Sequence, residues 1–430
     1  MTISAASCPA IRSQPALGRL ELVTVAGVLV LAMLDLPNYL NVLSPGLQPK
    51  LVYFPMLVAS IAVLLASSAL TLSRVRPLLL LFVAVYSLAN IGHALLFSTD
   101  SGGEGAHIAW SRLQFLVLAF GIALSTTAVR RIDLARIFAV CSALIAASLL
   151  VDYALPDTLY PLSTPGLVPG RFGSFFINPN KAGEAVVLTA LLGLPALSRR
   201  TALPLLALAA MAVLVTFSRS AMLAMALLTG LFWANNLLGR TQLLLAGAAL
   251  LVLVAGGGIV ELVGSSAGYL PSINAEDIYQ RLQFLTTGDL HDDSVDERTF
   301  VLVKGLELFA GNLLLGAGAG ATHLWEFAVA PHNQAVMMAS EYGMLGLAGW
   351  LVMLLLASTG SYFAGRAQQL GAAAFVLFFS MSTHNMLDFP YWIIALMVMS
   401  MRYAAGPRPA GVVSAARPAA RQAGSRTRTA

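Results

Sequence analysis

Charged residues are scarce in this chain. Asp, Glu, Lys and Arg make up 10% of its 430 residues, whereas hydrophobic residues make up 58%, and the mean hydropathy is +0.80. A soluble globular domain has about 25% charged residues, so this composition excludes the soluble class and indicates a polytopic membrane protein. The apolar runs are long and do not alternate with polar residues. They therefore predict an all-α protein with membrane-spanning helices rather than a barrel.

Cysteine is also nearly missing. The two cysteines, Cys8 and Cys141, are far apart, which argues against both a disulfide framework and a thiolate metal site. An acidic cluster at 291–297 has no spacing typical of metal ligands, and a solvated loop explains it better. We expect no metal, no cofactor and no removable signal peptide. The net charge of +5 indicates membrane orientation and gives no case for nucleic-acid binding.

Windows of about 20 apolar residues predict twelve membrane spans. They lie at 20–36, 51–72, 77–97, 108–129, 132–152, 182–198, 201–217, 220–238, 241–263, 334–358, 371–386 and 389–403. Residues 1–19 are then an N-terminal segment, 20–403 a transmembrane domain and 404–430 a disordered basic tail. A long outer segment, 264–331, separates the ninth span from the tenth.

Arginine positions orient these spans. With the N-terminus inside, the predicted cytoplasmic links carry Arg12, Arg19, Arg74, Arg76, Arg130, Arg131, Arg136, Arg199, Arg200, Arg240 and Arg366. Both termini are then cytoplasmic. The cations left on the outer side are Lys50, Arg112, Arg171, Lys181, Arg219, Arg281, Arg298 and Lys304. Because outward cations oppose the orientation signal, we expect some of them to hold an anion; for any single one, a solvated or snorkelling side chain is the alternative.

Two outer stretches place cations at the start of a span. In "RFGSFFINPNKAGEAV", Pro179 predicts a turn before a helix with Asn180 as its N-cap, next to Arg171 and Lys181. This arrangement is typical of an anion or sugar-hydroxyl site, and equally of an ordinary capped helix. In "FSRSA", Arg219 lies in a tight hairpin, where a guanidinium suits bidentate contact with phosphate.

The long outer segment carries a predicted amphipathic helix beginning near Asp296. Its apolar face holds Val301, Leu302, Leu306, Phe309 and Ala310, and its polar residues include Arg298 and Lys304. We expect this helix to lie against the membrane surface or over a cavity. The glycines at 316, 318 and 320 then predict a flexible turn.

The stretch "PHNQAVMMASEYGMLGL" places His332 and Asn333 directly before a span. Histidine has a near-neutral pKa that suits proton transfer, although a structural interfacial histidine is the alternative. Glu341 lies about two turns into the span, where it either serves function or packs against a neighbouring helix. A second His–Asn pair, His384 and Asn385 with Asp388, is explained by turn chemistry as well as by function.

These four stretches, in this order, resemble the O-antigen ligase and Wzy-type polymerase superfamily. The motifs cover about residues 170–350. The resemblance implies an inverting, metal-independent membrane glycosyltransferase that uses an undecaprenyl-diphosphate-linked glycan as donor. It implies that Arg219 and Arg298 bind the diphosphate and that His332 is the general base. It further implies that Arg171, Asn180, Lys181, Asn333 and Glu341 line or shape the substrate path.

The leading hypothesis is an O-antigen ligase-type enzyme of a bacterial inner membrane whose active site faces the periplasm. Its acceptor is lipid A-core; for a polymerase, the alternative, it is the growing polysaccharide. A transporter or flippase is the rival from another class. Such a protein places ionisable groups near the membrane midplane and has repeat symmetry, and neither feature is visible in this sequence.

Overall fold

The computed structural model describes residues 18–67, 72–96, 103–161, 171–244, 293–327, 329–383 and 385–403, and the single residues 164, 167 and 247. This part of the chain is helical and has no strand, which confirms the all-α prediction there. Its helices are α1 (Arg19–Met33), α2 (Leu36–Leu43), α3 (Lys50–Ala66), α4 (Pro77–Leu96), α5 (Glu104–Thr126), α6 (Arg131–Ala154), α7 (Pro179–Gly193), α8 (Arg199–Val215), α9 (Arg219–Ala234), α10 (Asp293–Gly311), α11 (Gln334–Thr359), α12 (Arg366–Ser382) and α13 (Pro390–Ser400). Predictions on Cys8, Arg281, His291, His384, the N-terminal segment and the basic tail lie outside the described residues.

Four of these helices are long and apolar enough to cross a membrane: α4, α5, α6 and α11. Helices α1 and α2 taken together are also long and apolar enough to cross a membrane, although the chain bends by 57° at the break between them. Helices α3, α9 and α13 are apolar but shorter. Every predicted span except 241–263, which lies largely outside the described residues, contains a helix; the count of twelve stays a prediction.

Helices α7 and α13 form the centre of the bundle. Residues 182–194 of the α7 region and residues 390–399 of α13 are all nearly inaccessible to solvent. Helix α7 packs against α6, α8 and α9, and α13 against α5 and α11. Small residues permit this close packing: a Cβ added at Gly183 would lie 2.6 Å from the Cβ of Ala221 in α9. Helix α7 is apolar over most of its surface, and a helix of this kind is typically buried. The burial of α7 agrees with this pattern.

Hydrogen bonds join the links between helices at each end of the bundle. At one end, the Arg402 amide donates to the Arg74 carbonyl at 2.9 Å, and the Arg199 Nε donates to the Asn236 carbonyl at 2.7 Å. At the other end, which we call the outer-predicted end, the Tyr39 hydroxyl donates to the Leu159 carbonyl at 3.0 Å. Links predicted to share a side of the membrane therefore contact one another. The compartment that each end faces remains a prediction.

Helix α10 packs against α11 through its backbone. A Cβ added at Gly305 would lie 2.7 Å from Val336 Cγ1, and the Ser340 hydroxyl donates to the Gly305 carbonyl at 2.7 Å. Val301 is buried at this contact, whereas Leu306, from the same predicted apolar face, is 47% exposed. The helix predicted near Asp296 is present, and only part of its apolar face packs on the bundle. This contact holds α10 against the first turns of α11.

Candidate functional site

One buried guanidinium group organises the outer-predicted end of the bundle. Arg112 of α5 is 1% exposed and pairs with Glu341 of α11. Its Nε and Nη2 donate to the two carboxylate oxygens of Asp388 at 2.5 and 3.0 Å, and its Nη1 donates to the Tyr342 hydroxyl at 3.0 Å. Bidentate pairing fixes direction as well as charge. We call Arg112, Glu341, Tyr342 and Asp388 the Arg112 cluster.

Arg112 was one of the outward cations expected either to hold an anion or to be solvated. The structure instead gives it two carboxylates of the protein itself, because a buried guanidinium needs charged partners in place of water. One of them is Asp388, for which the sequence left a role in the turn and a functional role equally open. Burial raises the pKa of Asp388, but the Arg112 charge and the His323 side chain hold it well below its usual range.

Glu341 also fixes the glycine turn at 316–320. It accepts hydrogen bonds from the Gly320 amide at 3.0 Å, from the Thr322 amide at 3.3 Å and from the Thr322 hydroxyl. The Gly318 amide donates to the Glu341 carbonyl at 3.1 Å. A Cβ added at Gly316 would lie 2.3 Å from the Glu341 carbonyl carbon. The turn expected here is present, its glycines permit close approach to α11, and Glu341 bonds to its amides; its flexibility stays a prediction.

A cavity of about 290 Å³ lies next to this turn. It is lined by Thr322, His323, Trp325, Phe327, Val329, Ala330 and His332. The Trp325 indole donates to the Val329 carbonyl at 3.1 Å, and the Trp325 and Phe327 rings meet edge to face at 5.1 Å. Two imidazoles and an aromatic wall therefore share one cavity, which we call the two-histidine cavity.

His332 reaches this cavity from the start of α11. Asn333 is the N-cap of that helix, and its side chain accepts a hydrogen bond from the Val336 amide at 3.1 Å, as expected for a residue that starts the span. Burial and, to a smaller extent, the charge of nearby Arg298 on α10 together lower the pKa of His332 from its ordinary value to about 4. The imidazole is therefore neutral at physiological pH, and the lowered pKa makes it a weaker base than an ordinary histidine.

Two of the predicted cations, Arg171 and Arg219, lie at the α8–α9 hairpin. Arg219 is the first residue of α9, and Ser218 is the N-cap. Arg171 holds this hairpin, because its Nε donates to the Thr216 carbonyl at 2.9 Å. Its Nη2 donates to the Asn180 side-chain oxygen at 2.6 Å. Arg171 thus joins Asn180 to the loop that precedes Arg219.

The prediction that Asn180 caps α7 is wrong. Asn178 is the N-cap, and its side chain accepts a hydrogen bond from the Asn180 amide at 2.9 Å. The reason is that Pro179 suits the first helical position, where no amide hydrogen is needed. Asn180 is therefore available to accept from Arg171. Next in sequence, the Lys181 ammonium lies 3.7 Å from the centroid of the Phe389 ring, a cation–π contact.

Sequence reasoning missed two polar residues. Glu184, on the buried helix α7, accepts hydrogen bonds from the Thr383 hydroxyl at 2.5 Å and from the Trp392 indole at 3.0 Å. Its signal was a carboxylate inside an apolar run. His323 was missed because no local pattern marks it. Within the described residues, no group of three or more His, Cys, Asp or Glu side chains is placed to hold a metal ion.

The fold and the site define a class of protein. It is a helical membrane protein with a buried ion cluster and an adjoining cavity that contains a neutral histidine near an arginine. Residues 204–351 match the family model of O-antigen ligase. The match contains Arg219, Arg298, His332, Asn333 and Glu341, and it confirms the resemblance to the O-antigen ligase-like superfamily. Curated proteins give no match to the chain.

Proposed function

We propose that this protein is a glycosyltransferase of the O-antigen ligase type in a bacterial inner membrane. It transfers a glycan from undecaprenyl diphosphate to a sugar hydroxyl of lipid A-core at the periplasmic face. The observation that carries the proposal is neutral His332 beside Arg298 at an open cavity, within the region matched by the O-antigen ligase family model. A base and a cation next to one cavity suit transfer from a diphosphate to a hydroxyl.

The reaction is a single inverting displacement. The acceptor hydroxyl oxygen attacks the anomeric carbon from the face opposite the diphosphate, and the bond from that carbon to the diphosphate oxygen breaks. The bonding electrons leave with undecaprenyl diphosphate, and the hydroxyl proton moves to His332. General-base catalysis of this kind contributes about 10²- to 10⁴-fold to the rate. Positioning the two reactants contributes further.

Arg219 and Arg298 stabilise the leaving diphosphate. Fixed guanidinium groups stabilise charge that develops in the transition state, so no metal ion is required by this mechanism. Arg171 and Asn180 support the Arg219 hairpin, and Lys181 and Asn333 line the substrate path. Glu341 shapes the site through the glycine turn, because its carboxylate oxygens are already bonded to Arg112, Gly320 and Thr322.

A Wzy-type polymerase is the second candidate, since it uses the same donor and differs in its acceptor. The family match supports both branches of the superfamily. The glycan phenotype of a deletion strain separates them. Loss of all long chains from lipid A-core, with lipid-linked polymer accumulating, identifies a ligase. Single repeats on the core identify a polymerase, and an unchanged glycan profile contradicts both.

The assigned residues are tested by complementation of that strain. We expect His332→Ala, Arg219→Ala and Arg298→Ala each to abolish transfer at normal expression. The matched control is His107→Ala, which removes an exposed histidine of α5 that does not line the cavity. Retained transfer in all three variants would show that the site is elsewhere. Chelation of the purified protein tests metal independence: loss of transfer that a divalent ion restores contradicts it.

The proposed orientation has a separate test. Single cysteines are introduced by His291→Cys and Arg366→Cys and treated with a membrane-impermeant thiol reagent. We expect labelling from outside at 291 and from inside only at 366. Labelling of position 366 from outside would overturn the topology.

A further inference from the structure

His323 is held through its backbone, and its side chain lies near a carboxylate. Its amide donates to the Gly320 carbonyl at 2.8 Å, within the turn that Glu341 holds. Its Nε2 lies 3.6 Å from an Asp388 carboxylate oxygen. Glu341 and Asp388 are both bonded to Arg112. Arg112 thus binds both the carboxylate that holds the turn before His323 and the carboxylate near the His323 side chain.

The lining of the two-histidine cavity includes both polar and aromatic side chains. His323 and His332 provide ring nitrogens, and Trp325 and Phe327 provide ring surfaces. Phe327 is also held from the other side, because its ring meets that of Phe300 on α10 at 5.3 Å. The residues that line the cavity include no Lys or Arg. This lining suits a neutral ligand with hydroxyl groups better than a diphosphate.

The size of the cavity limits the ligand. Its volume of about 290 Å³ lies just below the range of about 300 to 1,000 Å³ that small-molecule sites occupy. A sugar ring has hydroxyl groups at its edge and carbon-bound hydrogens on its faces. Those hydrogens carry partial positive charge, which an aromatic ring face attracts. A single pyranose ring therefore matches the cavity in both size and chemistry.

The geometry points to the two-histidine cavity as the subsite for one pyranose ring of the acceptor glycan, with His323 binding a ring hydroxyl beside the hydroxyl that reacts. Trp325 and Phe327 contact the carbon-bound hydrogens of the ring. The inference rests on the proposed function, since His332 takes the proton of the reacting hydroxyl in the same cavity. It assigns His323 a separate role, in affinity for the acceptor.

Steady-state kinetics separate acceptor binding from donor binding. The full-length protein in nanodiscs is given lipid-linked glycan and lipid A-core, both isolated from the source bacterium, and each is varied in turn. We expect His323→Ala and Trp325→Leu each to raise the KM for the acceptor about tenfold, the size of one lost hydrogen bond or ring contact. The KM for the donor stays unchanged. His107→Ala, the matched control, changes neither value.

A binding measurement without turnover complements the kinetics. Saturation-transfer NMR is recorded with the methyl glycosides of the sugars found in the acceptor. We expect a signal from at least one glycoside with the wild-type protein, loss of that signal in Trp325→Leu, and retention in His107→Ala. This measurement applies equally if the deletion phenotype identifies a polymerase, whose acceptor is lipid-linked.

The outcomes distinguish the two proposals. No transfer by the wild-type protein contradicts the proposed function. Wild-type transfer with an unchanged acceptor KM in both variants overturns the subsite, and so does an equal rise in both KM values, because that result indicates a structural effect. If His323→Ala does not fold, His323→Gln takes its place. The glutamine retains a hydrogen-bonding group, and we expect an intermediate rise in the acceptor KM.

Discussion

The Arg112 cluster and the two-histidine cavity are neighbours that differ in how their polar groups are satisfied. In the cluster, the protein itself supplies the partners: Arg112 bonds two carboxylates and a phenol, and Glu341 also accepts from the glycine turn. In the cavity, His332 is partly buried near a cation, which keeps it uncharged. The cluster therefore holds positions within the bundle, whereas the two histidines of the cavity lie next to open space.

This difference separates polar residues that look alike in the sequence. Glu341 and His332 lie nine residues apart at the start of one helix, and each is unusual in an apolar setting. Glu341 is fully buried and bonded to α5 and to the glycine turn, whereas His332 lines an open cavity. Partners from distant parts of the chain, rather than local sequence, decide which of the two can act on a substrate.

The largest expected effect comes from breaking the Arg112 cluster. Arg112→Leu leaves the buried Glu341 and the partly buried Asp388 without their shared cation. Removing one partner from a buried ion pair costs about 3 to 5 kcal/mol of stability. We expect a large fall in the unfolding temperature in detergent, with loss of transfer. The matched control, Arg136→Leu, removes an arginine whose side chain is 65% exposed, and we expect little change. Equal stability of the two variants would show that the cluster does not hold the fold.

The second prediction concerns pH in the cavity. Transfer needs neutral His332, whose pKa is about 4 in place of the ordinary 6.5. The rate should therefore persist as pH falls below 6.5 and decline only as it approaches 4. In Arg298→Gln the neighbouring positive charge is absent, so the pKa of His332 rises part of the way toward 6.5.

The pH dependence of kcat at saturating donor checks this prediction. In Arg298→Gln, the His332 imidazole, followed by NMR, should titrate at higher pH than in the wild-type protein. The profile of Lys304→Gln, a change on the same helix, should match that of the wild type. A wild-type rate that already halves near pH 6.5 would contradict a buried, neutral base.

A smaller effect is expected where the glycine turn meets α11. Gly343 has φ of +64°, and a Cβ added there would lie 2.4 Å from the Leu314 carbonyl oxygen. Gly343→Ala therefore forces a strained backbone conformation, which costs about 1 to 3 kcal/mol. The control is Gly365→Ala, where an added Cβ has nothing within 4 Å. The measurement is the midpoint of thermal unfolding of the two variants. Equal midpoints would show that the backbone at Leu314 can shift to make room for the added methyl group.

Local patterns predicted much of the fold and only part of the site. Apolar runs marked the helices because each run must be buried or face lipid, and Asn333 was recognisable as a helix start. The role of Arg112 could not be predicted, because its partners Glu341 and Asp388 are more than 200 positions away in the chain. His323 was missed for the same reason, since Asp388 belongs to a distant turn. The Asn180 error was local: Pro179 occupies the first helical position and moves the cap to Asn178.

The smallest expected effect is that of Lys304, a cation of α10 that the local sequence does not distinguish from Arg298. The Lys304 ammonium pairs with the Glu307 carboxylate at 2.7 Å, and both side chains are at least one third exposed. Such pairs contribute about 0 to 1 kcal/mol, so Lys304→Ala should leave both unfolding temperature and transfer nearly unchanged. Arg298→Ala, six positions earlier, should abolish transfer without a comparable loss of stability, since we assign its guanidinium to the leaving diphosphate. Transfer and thermal unfolding measured on both variants give the answer. Equal loss of transfer would mean that any cation on this helix supports the reaction through general attraction, and that Arg298 has no specific place at the diphosphate.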